Sequence, residues 1–98
     1  MAEDLNLGRW EDQGGGVHIM LARVPFKDLR GGRHRGIMAF RVDARHGEVR
    51  VDRAEHVAGV WMPWEAIDDQ HRATSVREGK KMVAEYRRKK AKETRRVY

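Results

Sequence analysis

This sequence contains no cysteine, only two prolines and a single serine, and it has no long run of apolar residues. The absence of cysteine excludes disulfides, thiolate catalysis and cysteine-ligated zinc. No stretch approaches the roughly 20 apolar residues that a membrane-spanning helix needs, so no membrane partner is expected. The acidic first residues do not resemble a secretory signal peptide, which favours a cytoplasmic protein.

Motifs for catalysis, metal binding and cofactor binding are also missing. The one serine, Ser75, precedes a predicted helix, and a helix N-cap role explains it without a nucleophile. The five histidines have no metal-ligand spacing, and neither GxxxxGK[ST] nor GxGxxG occurs. We therefore predict no catalytic residue, no metal site and no cofactor, and an enzyme is not expected.

A group of carboxylates near one predicted hairpin leaves a weaker alternative, a small metal-dependent nuclease or toxin. Such carboxylates can hold a divalent metal ion for phosphodiester hydrolysis. Solvent-facing ends of a hairpin also account for them. The group consists of Asp43, Glu48, Asp52 and Glu55.

The length of 98 residues fits one domain with one modest core. Residues 1–16 end in three consecutive glycines, and we expect them to form a flexible segment before a β-rich body over 17–70. Pro63 ends the last predicted strand and begins a short helical turn. Strands are predicted where apolar and β-branched residues alternate between turn residues, at 17–26, 37–42, 48–52 and 56–62.

The C-terminal part of the chain, residues 71–98, is predicted to be mainly helical. Ser75 and Glu78 form a capping box that starts a helix running from Val76 to about Arg95. A glycine near its start should weaken the helix by roughly 1 kcal/mol relative to alanine. Helical spacing places the apolar side chains on one face, wide enough to dock on a sheet. That face consists of Val76, Gly79, Met82, Val83 and Tyr86.

These elements predict an α+β fold. We expect a small antiparallel sheet of three to four strands, curved or barrel-like, with a long basic C-terminal helix packed on the body and projecting from it. Trp61 is expected in the core, because the chain has few aromatic residues to fill it. Trp64, just after the proline, is a candidate for stacking on nucleic-acid bases.

Positive charge is concentrated in the predicted helix. Residues 71–98 hold 11 Lys or Arg and 3 Glu, a net charge of +8, whereas residues 1–70 hold 10 Lys or Arg and 12 Asp or Glu, a net charge of −2. Helical spacing places five cations in one stripe about 60° wide, opposite the apolar face. The stripe consists of Arg77, Lys81, Arg88, Lys92 and Arg95. Three further cations, Arg87, Lys89 and Lys90, surround the distal half, which we expect to bury no face without a partner.

A second cationic segment lies at residues 30–36, which contain three arginines, three glycines and a histidine and are predicted to form a loop. Glycine lets a backbone approach a ligand closely, and arginine supplies the charge for phosphate. A flexible connection between strands is the other interpretation. The arginines concerned are Arg30, Arg33 and Arg35.

A nearly neutral body with a cationic stripe on one helix indicates a polyanionic partner. We predict a small non-enzymatic nucleic-acid-binding accessory protein that contacts phosphates of DNA or RNA with weak sequence specificity, since one helix offers few base contacts. The alternative is a protein-interaction or assembly module, for example in a virion or ribonucleoprotein complex, that docks the same helix on an acidic protein surface. A solvated, solubilising helix is a third interpretation. The sequence does not give the oligomeric state.

Overall fold

The computed structural model describes residues 7–27, 30–70 and 72–95. Strands β1 to β5 lie in chain order across one antiparallel sheet, and β6 pairs with β4. The sheet is a curled half-barrel, so the predicted α+β class with a curved sheet and a C-terminal helix is confirmed, although the sheet has six strands where three to four were predicted. In chain order the elements are β1 Trp10–Gly14, β2 Val17–Lys27, β3 Arg33–Asp43, β4 Arg50–Val57, β5 Val60–Trp61, β6 Glu65–Ala66 and α1 Val76–Arg95.

Strand β1 corrects the prediction of a flexible segment over residues 1–16. It pairs antiparallel with the start of β2, with Trp10 opposite Met20. Gly15 and Gly16 connect the two strands with φ angles of 66° and 94°, which lie in the left-handed region that glycine adopts at little cost. The glycine run therefore makes a tight hairpin turn instead of a flexible break. Residues 1–6 lie outside the described part of the chain.

The core lies between one face of the sheet and α1. Phe40 and Val42 of β3 and Val83 of α1 are completely buried, each with 0% exposure. The ring of Tyr86 meets that of Phe40 edge-on, with centroids 5.8 Å apart. Val76, Met82 and Tyr86 also pack against this cluster, which confirms the predicted apolar face of the helix.

Gly79 lies where α1 comes closest to the sheet. A Cβ atom at this position would lie 2.9 Å from Cγ1 of Val42 and 3.2 Å from Cγ2 of Val51. The helix-propensity cost predicted for this glycine is therefore accompanied by a packing role that the sequence did not indicate. The missing side chain lets helix and sheet pack in direct contact.

The start of α1 confirms the predicted capping residues with one difference in detail. The Glu78 N–H donates to Oγ of Ser75 at 3.1 Å, as expected of an N-cap serine. The Glu78 carboxylate accepts from the N–H of Thr74 at 2.8 Å and from its hydroxyl at 3.3 Å. In a standard capping box this carboxylate would reach the N-cap residue itself. Here it satisfies the preceding residue and anchors the approach to the helix.

The second half of the sheet departs from the predicted strand boundaries. Strand β4 continues to Val57, where Ala58 and Gly59 turn with positive φ angles of 51° and 81°. Residues 65–66, predicted as part of a helical turn, pair with β4 as strand β6. Trp61 is 46% exposed and not in the core, because it lies on the two-residue strand β5, which α1 does not contact.

Asp43 ends β3 as a buried carboxylate, with 3% exposure. The guanidinium of Arg45 donates to its two oxygens at 3.0 and 2.8 Å, and the Arg45 N–H donates to Oδ1 at 3.0 Å. These bonds, first of all those from the guanidinium, hold the pKa of Asp43 well below its ordinary value, although burial opposes the shift. The charged carboxylate therefore stabilises the turn between β3 and β4.

Replacing Asp43 by asparagine is expected to lower the free energy of unfolding near neutral pH by about 1 to 2 kcal/mol, because charge-assisted hydrogen bonds are lost. The folded-state pKa is below the unfolded one, so the stabilisation is complete above about pH 4 and disappears as the pH falls further. Urea denaturation of both proteins at neutral and acidic pH measures this difference. A stability difference that does not shrink in acid contradicts the ion-pair explanation.

Candidate nucleic-acid interface

The outer face of α1 presents the predicted cations to solvent. Arg77, Lys81, Arg88 and Lys92 are all exposed, and we call these four the helix stripe. They lie opposite the side of α1 that carries the buried Val83. At 1.5 Å per residue the stripe extends along the helix for about 22 Å. Arg95, the fifth predicted member, is the last residue of α1, but its side chain lies outside the described part.

The side chains of the helix stripe, unlike those of many arginines in the body, have no carboxylate partner among the described residues. Within the described residues, no ion pair joins a member of the helix stripe to an aspartate or glutamate. The charge of the body is thus partly compensated internally, whereas the charge of the stripe is available to an external anion. The paired arginines of the body are Arg41 with Asp52, Arg45 with Asp43, Arg53 with Glu65 and Arg72 with Glu48, at 2.7 to 3.2 Å.

The other predicted helix cations occupy different surroundings. Lys89 is exposed, whereas Arg87 and Lys90 are half-buried. Arg87 donates to Sδ of Met20 at 4.0 Å. Lys90 lies 3.7 Å from the carboxylate of Glu93 and 5.8 Å from the ring centroid of Tyr86. The distal half of α1 therefore contacts the sheet through Arg87, but no described residue of α1 beyond Val83 is buried, and the expectation that this half buries no face without a partner stays a prediction.

The arginine–glycine segment is mostly strand instead of loop. The pairing of β2 with β3 extends to Lys27 opposite Arg33, so ladder hydrogen bonds hold the segment from residue 33 onward. Arg35 is exposed and lies opposite Pro25, and Arg30 is exposed in the preceding turn. The prediction of a flexible loop is wrong for residues 33–36, and the side chain of Arg33 lies outside the described part.

Trp64, the predicted stacking residue, is half-buried. The guanidinium carbon of Arg41 lies 4.4 Å from its ring centroid, a cation–π contact. Arg41 is itself held by Asp52 through two hydrogen bonds of 2.8 and 3.2 Å. One face of the tryptophan ring is thus covered, and a base stacking there must displace Arg41.

The carboxylates considered for a nuclease site act as ion-pair partners. Each lies within 4.0 Å of an arginine nitrogen. The described part of the chain contains no cluster of three or more His, Asp or Glu side chains arranged to hold a metal ion. The carboxylates and their partners are Asp43 with Arg45, Glu48 with Arg72, Asp52 with Arg41 and Glu55 with Arg53.

The structure adds one cation that the sequence analysis missed. Arg23 at the edge of β2 and Arg87 and Arg88 of α1 all line one open cleft of about 370 Å³. We call this the arginine cleft, and no carboxylate lines it. In the sequence, Arg23 stands out only as a charged residue between apolar residues of a predicted strand, which does not indicate that it lies near α1.

The opposite end of α1 has a different electrostatic character. A cavity of about 300 Å³ near the start of the helix is lined by more carboxylates than arginines. Such a surface repels a polyanion, so the cationic interface is restricted to the outer face and distal half of α1. The charged residues of this cavity are Glu48, Arg50, Asp52, Asp68, Asp69 and Arg72.

Among the described residues, no helix is both long enough and apolar enough to cross a membrane. Comparison with protein-family models, with curated proteins and with solved structures gives no match to this chain. The candidate interface is therefore defined by the charge and geometry of this chain, as a row of exposed cations on α1 that continues into the arginine cleft.

Proposed function

We propose that this protein is a non-enzymatic accessory protein that binds DNA or RNA through the helix stripe. The observation that carries the proposal is a row of four exposed cations with no carboxylate partner among the described residues. Each strand of duplex DNA carries one phosphate per about 3.4 Å of the duplex axis, so a row about 22 Å long is long enough to contact several phosphates. A cytoplasmic setting belongs to the same proposal.

The composition of the stripe favours contact with the backbone of the nucleic acid over recognition of bases. Its members are arginines and lysines, which bind phosphate oxygens of any sequence. The inner face of α1 is docked on the sheet, so the helix cannot present side chains on all sides to a groove. We therefore expect affinities that vary little with sequence and fall steeply with salt.

A protein partner is the second candidate, and one observation favours it. The turn between β4 and β5 carries a group of large apolar side chains, each at least 46% exposed. Clusters of this kind often mark protein interaction sites. In this alternative an acidic protein surface would meet α1 while the apolar group adds contact area. The group consists of Val57, Val60, Trp61 and Met62.

Fluorescence anisotropy with labelled single-stranded DNA, duplex DNA and RNA of about 20 nucleotides tests the proposal. At about 50 mM salt we expect binding to at least one of these three kinds of nucleic acid. Within that kind, the affinities for probes of unrelated sequence should differ by less than about fivefold. Absence of binding to all three probes contradicts the proposed function. Retention of a defined protein from nuclease-treated lysate, together with that absence, favours the assembly alternative.

A further inference from the structure

We infer that the arginine cleft between β2 and α1 is a phosphate-binding subsite formed by Arg23, Arg87 and Arg88. The inference rests on the proposed function in one respect: we take the bound phosphate to belong to the backbone of a nucleic acid. Arg88 belongs to both the helix stripe and the cleft. A phosphate backbone that follows the stripe would therefore reach the edge of the sheet at this point.

The helix side of the cleft is built from residues that share one face of α1. Ala84, Arg87, Arg88 and Ala91 are spaced i, i+3, i+4 and i+7. The two alanines have short side chains, which leaves open space between the arginines. The lining of the cleft thus combines arginines with small apolar residues.

The strand side of the cleft lies at an edge of β2 that no described strand pairs with beyond Leu21. Strand β1 pairs with β2 only as far as Met20, and the Gly8 N–H donates to the carbonyl of Leu21 at 2.7 Å. Alternate residues of an antiparallel strand direct their main-chain groups to the same side, so the N–H of Arg23 also points outward from this edge. Pro25, two residues further, has no N–H to offer a pairing strand. This edge is therefore better suited to bind a small hydrogen-bond acceptor, such as a phosphate oxygen, than to pair with another strand.

The charges of the cleft are not compensated within the described residues. No ion pair joins Arg23, Arg87 or Arg88 to a carboxylate there, and no carboxylate lines the cleft. Arg87 is half-buried, and its guanidinium lies 4.0 Å from Sδ of Met20, next to the sheet. Guanidinium groups bind phosphate oxygens through paired N–H donors, and a phosphate bound in the cleft would neutralise part of the positive charge that lines it.

A carboxylate placed inside the cleft tests the subsite without removal of any arginine. Ala84 is exposed, so Ala84→Glu and Ala84→Gln should both fold. The glutamate lies three and four residues from Arg87 and Arg88 and should occupy them as an internal anion. We expect Ala84→Glu to weaken oligonucleotide binding about tenfold and the matched neutral variant Ala84→Gln to weaken it less than about twofold.

A second pair of variants tests the strand arginine directly. Arg23→Gln should weaken binding about fivefold, whereas Arg50→Gln, which removes an exposed arginine from the acidic cavity, should change it less than about twofold. Suppose that the wild type binds the oligonucleotide, and that Ala84→Glu and Arg23→Gln bind it as tightly as their controls Ala84→Gln and Arg50→Gln. This result overturns the subsite while the proposed function stands. Circular dichroism and thermal unfolding of all four variants confirm that the differences are not caused by misfolding.

Titration with inorganic pyrophosphate, followed by NMR of the arginine Nε–H signals, separates the two proposals. Shifts confined to Arg23, Arg87 and Arg88 support the phosphate subsite. If they occur in a protein that binds no oligonucleotide, the proposed function fails and the subsite is one for a free phosphate compound. Absence of shifts at the three arginines at millimolar pyrophosphate, together with unaltered oligonucleotide binding by Arg23→Gln, overturns the subsite.

Discussion

Replacing Arg77, Lys81 and Lys92 together by glutamine is expected to weaken nucleic-acid binding on the order of 100-fold at about 0.1 M salt. Each lost phosphate contact removes roughly a factor of five to ten at this salt, because fewer counterions are released on binding. The three side chains are exposed and have no described carboxylate partner, so their loss should leave the fold intact. Fluorescence anisotropy with a labelled oligonucleotide measures the change in affinity. Arg88 is left unchanged in this variant because it also lines the arginine cleft.

A matched variant distinguishes the helix stripe from net charge. Replacing Arg9, Arg50 and Arg72 by glutamine removes three exposed cations from the body instead of the helix. Arg50 and Arg72 line the acidic cavity. We expect this variant to lose less than about threefold in affinity. Equal losses in the two triple variants would mean that total charge governs binding, which contradicts an interface on α1.

Replacing Gly79 by alanine is expected to lower the free energy of unfolding by about 1 to 3 kcal/mol, which is the usual cost of overpacking a core. Helix propensity alone predicts the opposite, a gain of roughly 1 kcal/mol. Packing should prevail because the added methyl would lie 2.9 Å from Val42 and 3.2 Å from Val51, and Val42 is completely buried. Urea denaturation monitored by circular dichroism measures the difference.

The exposed residue Ala84 provides the control for helix propensity in the same helix. Ala84→Gly should cost about 1 kcal/mol through propensity alone, since the side chain faces solvent. Ala84→Gly measures the propensity difference between glycine and alanine in this helix. Subtracting the corresponding propensity gain from the stability change of Gly79→Ala gives the contribution of packing at Gly79. A variant Gly79→Ala that is more stable than the wild type contradicts the close approach of α1 to the sheet.

This close approach also matters for the interface. Gly79 and Val83 lie buried on the inner face of α1, and they fix the rotation of the helix relative to the sheet. That rotation directs the helix stripe outward and places Arg87 and Arg88 in the same cleft as Arg23. A larger residue at Gly79 should therefore disturb both stability and the geometry of the arginine cleft.

The sequence predicted the helix well because its signals are local. Ser75 marks its start, and a 3.6-residue apolar period shows which face docks, so the exposed helix stripe followed from the same pattern. Strand β1 was missed because four of its five residues are exposed and show no apolar alternation. Its stability comes from hydrogen bonds to β2, which local patterning does not reveal.

Features that depend on contacts between distant parts of the chain were beyond local patterns. Trp61 looked like a core residue by type, but its exposure depends on how far α1 extends across the sheet. The pairing of Arg41 with Asp52 and the presence of Arg23 and Arg87 in one cleft likewise depend on strand register and helix placement. Which cations are free for a ligand is therefore decided by the tertiary structure.

The salt dependence of wild-type binding to duplex DNA tests the electrostatic interface. For about five neutralised phosphates, the logarithm of the association constant should fall with the logarithm of salt concentration with a slope of about −4.5. The triple variant of the helix stripe should reduce that slope to between about −1 and −2. A wild-type affinity that does not change between about 50 and 200 mM salt would contradict binding through the cations of α1.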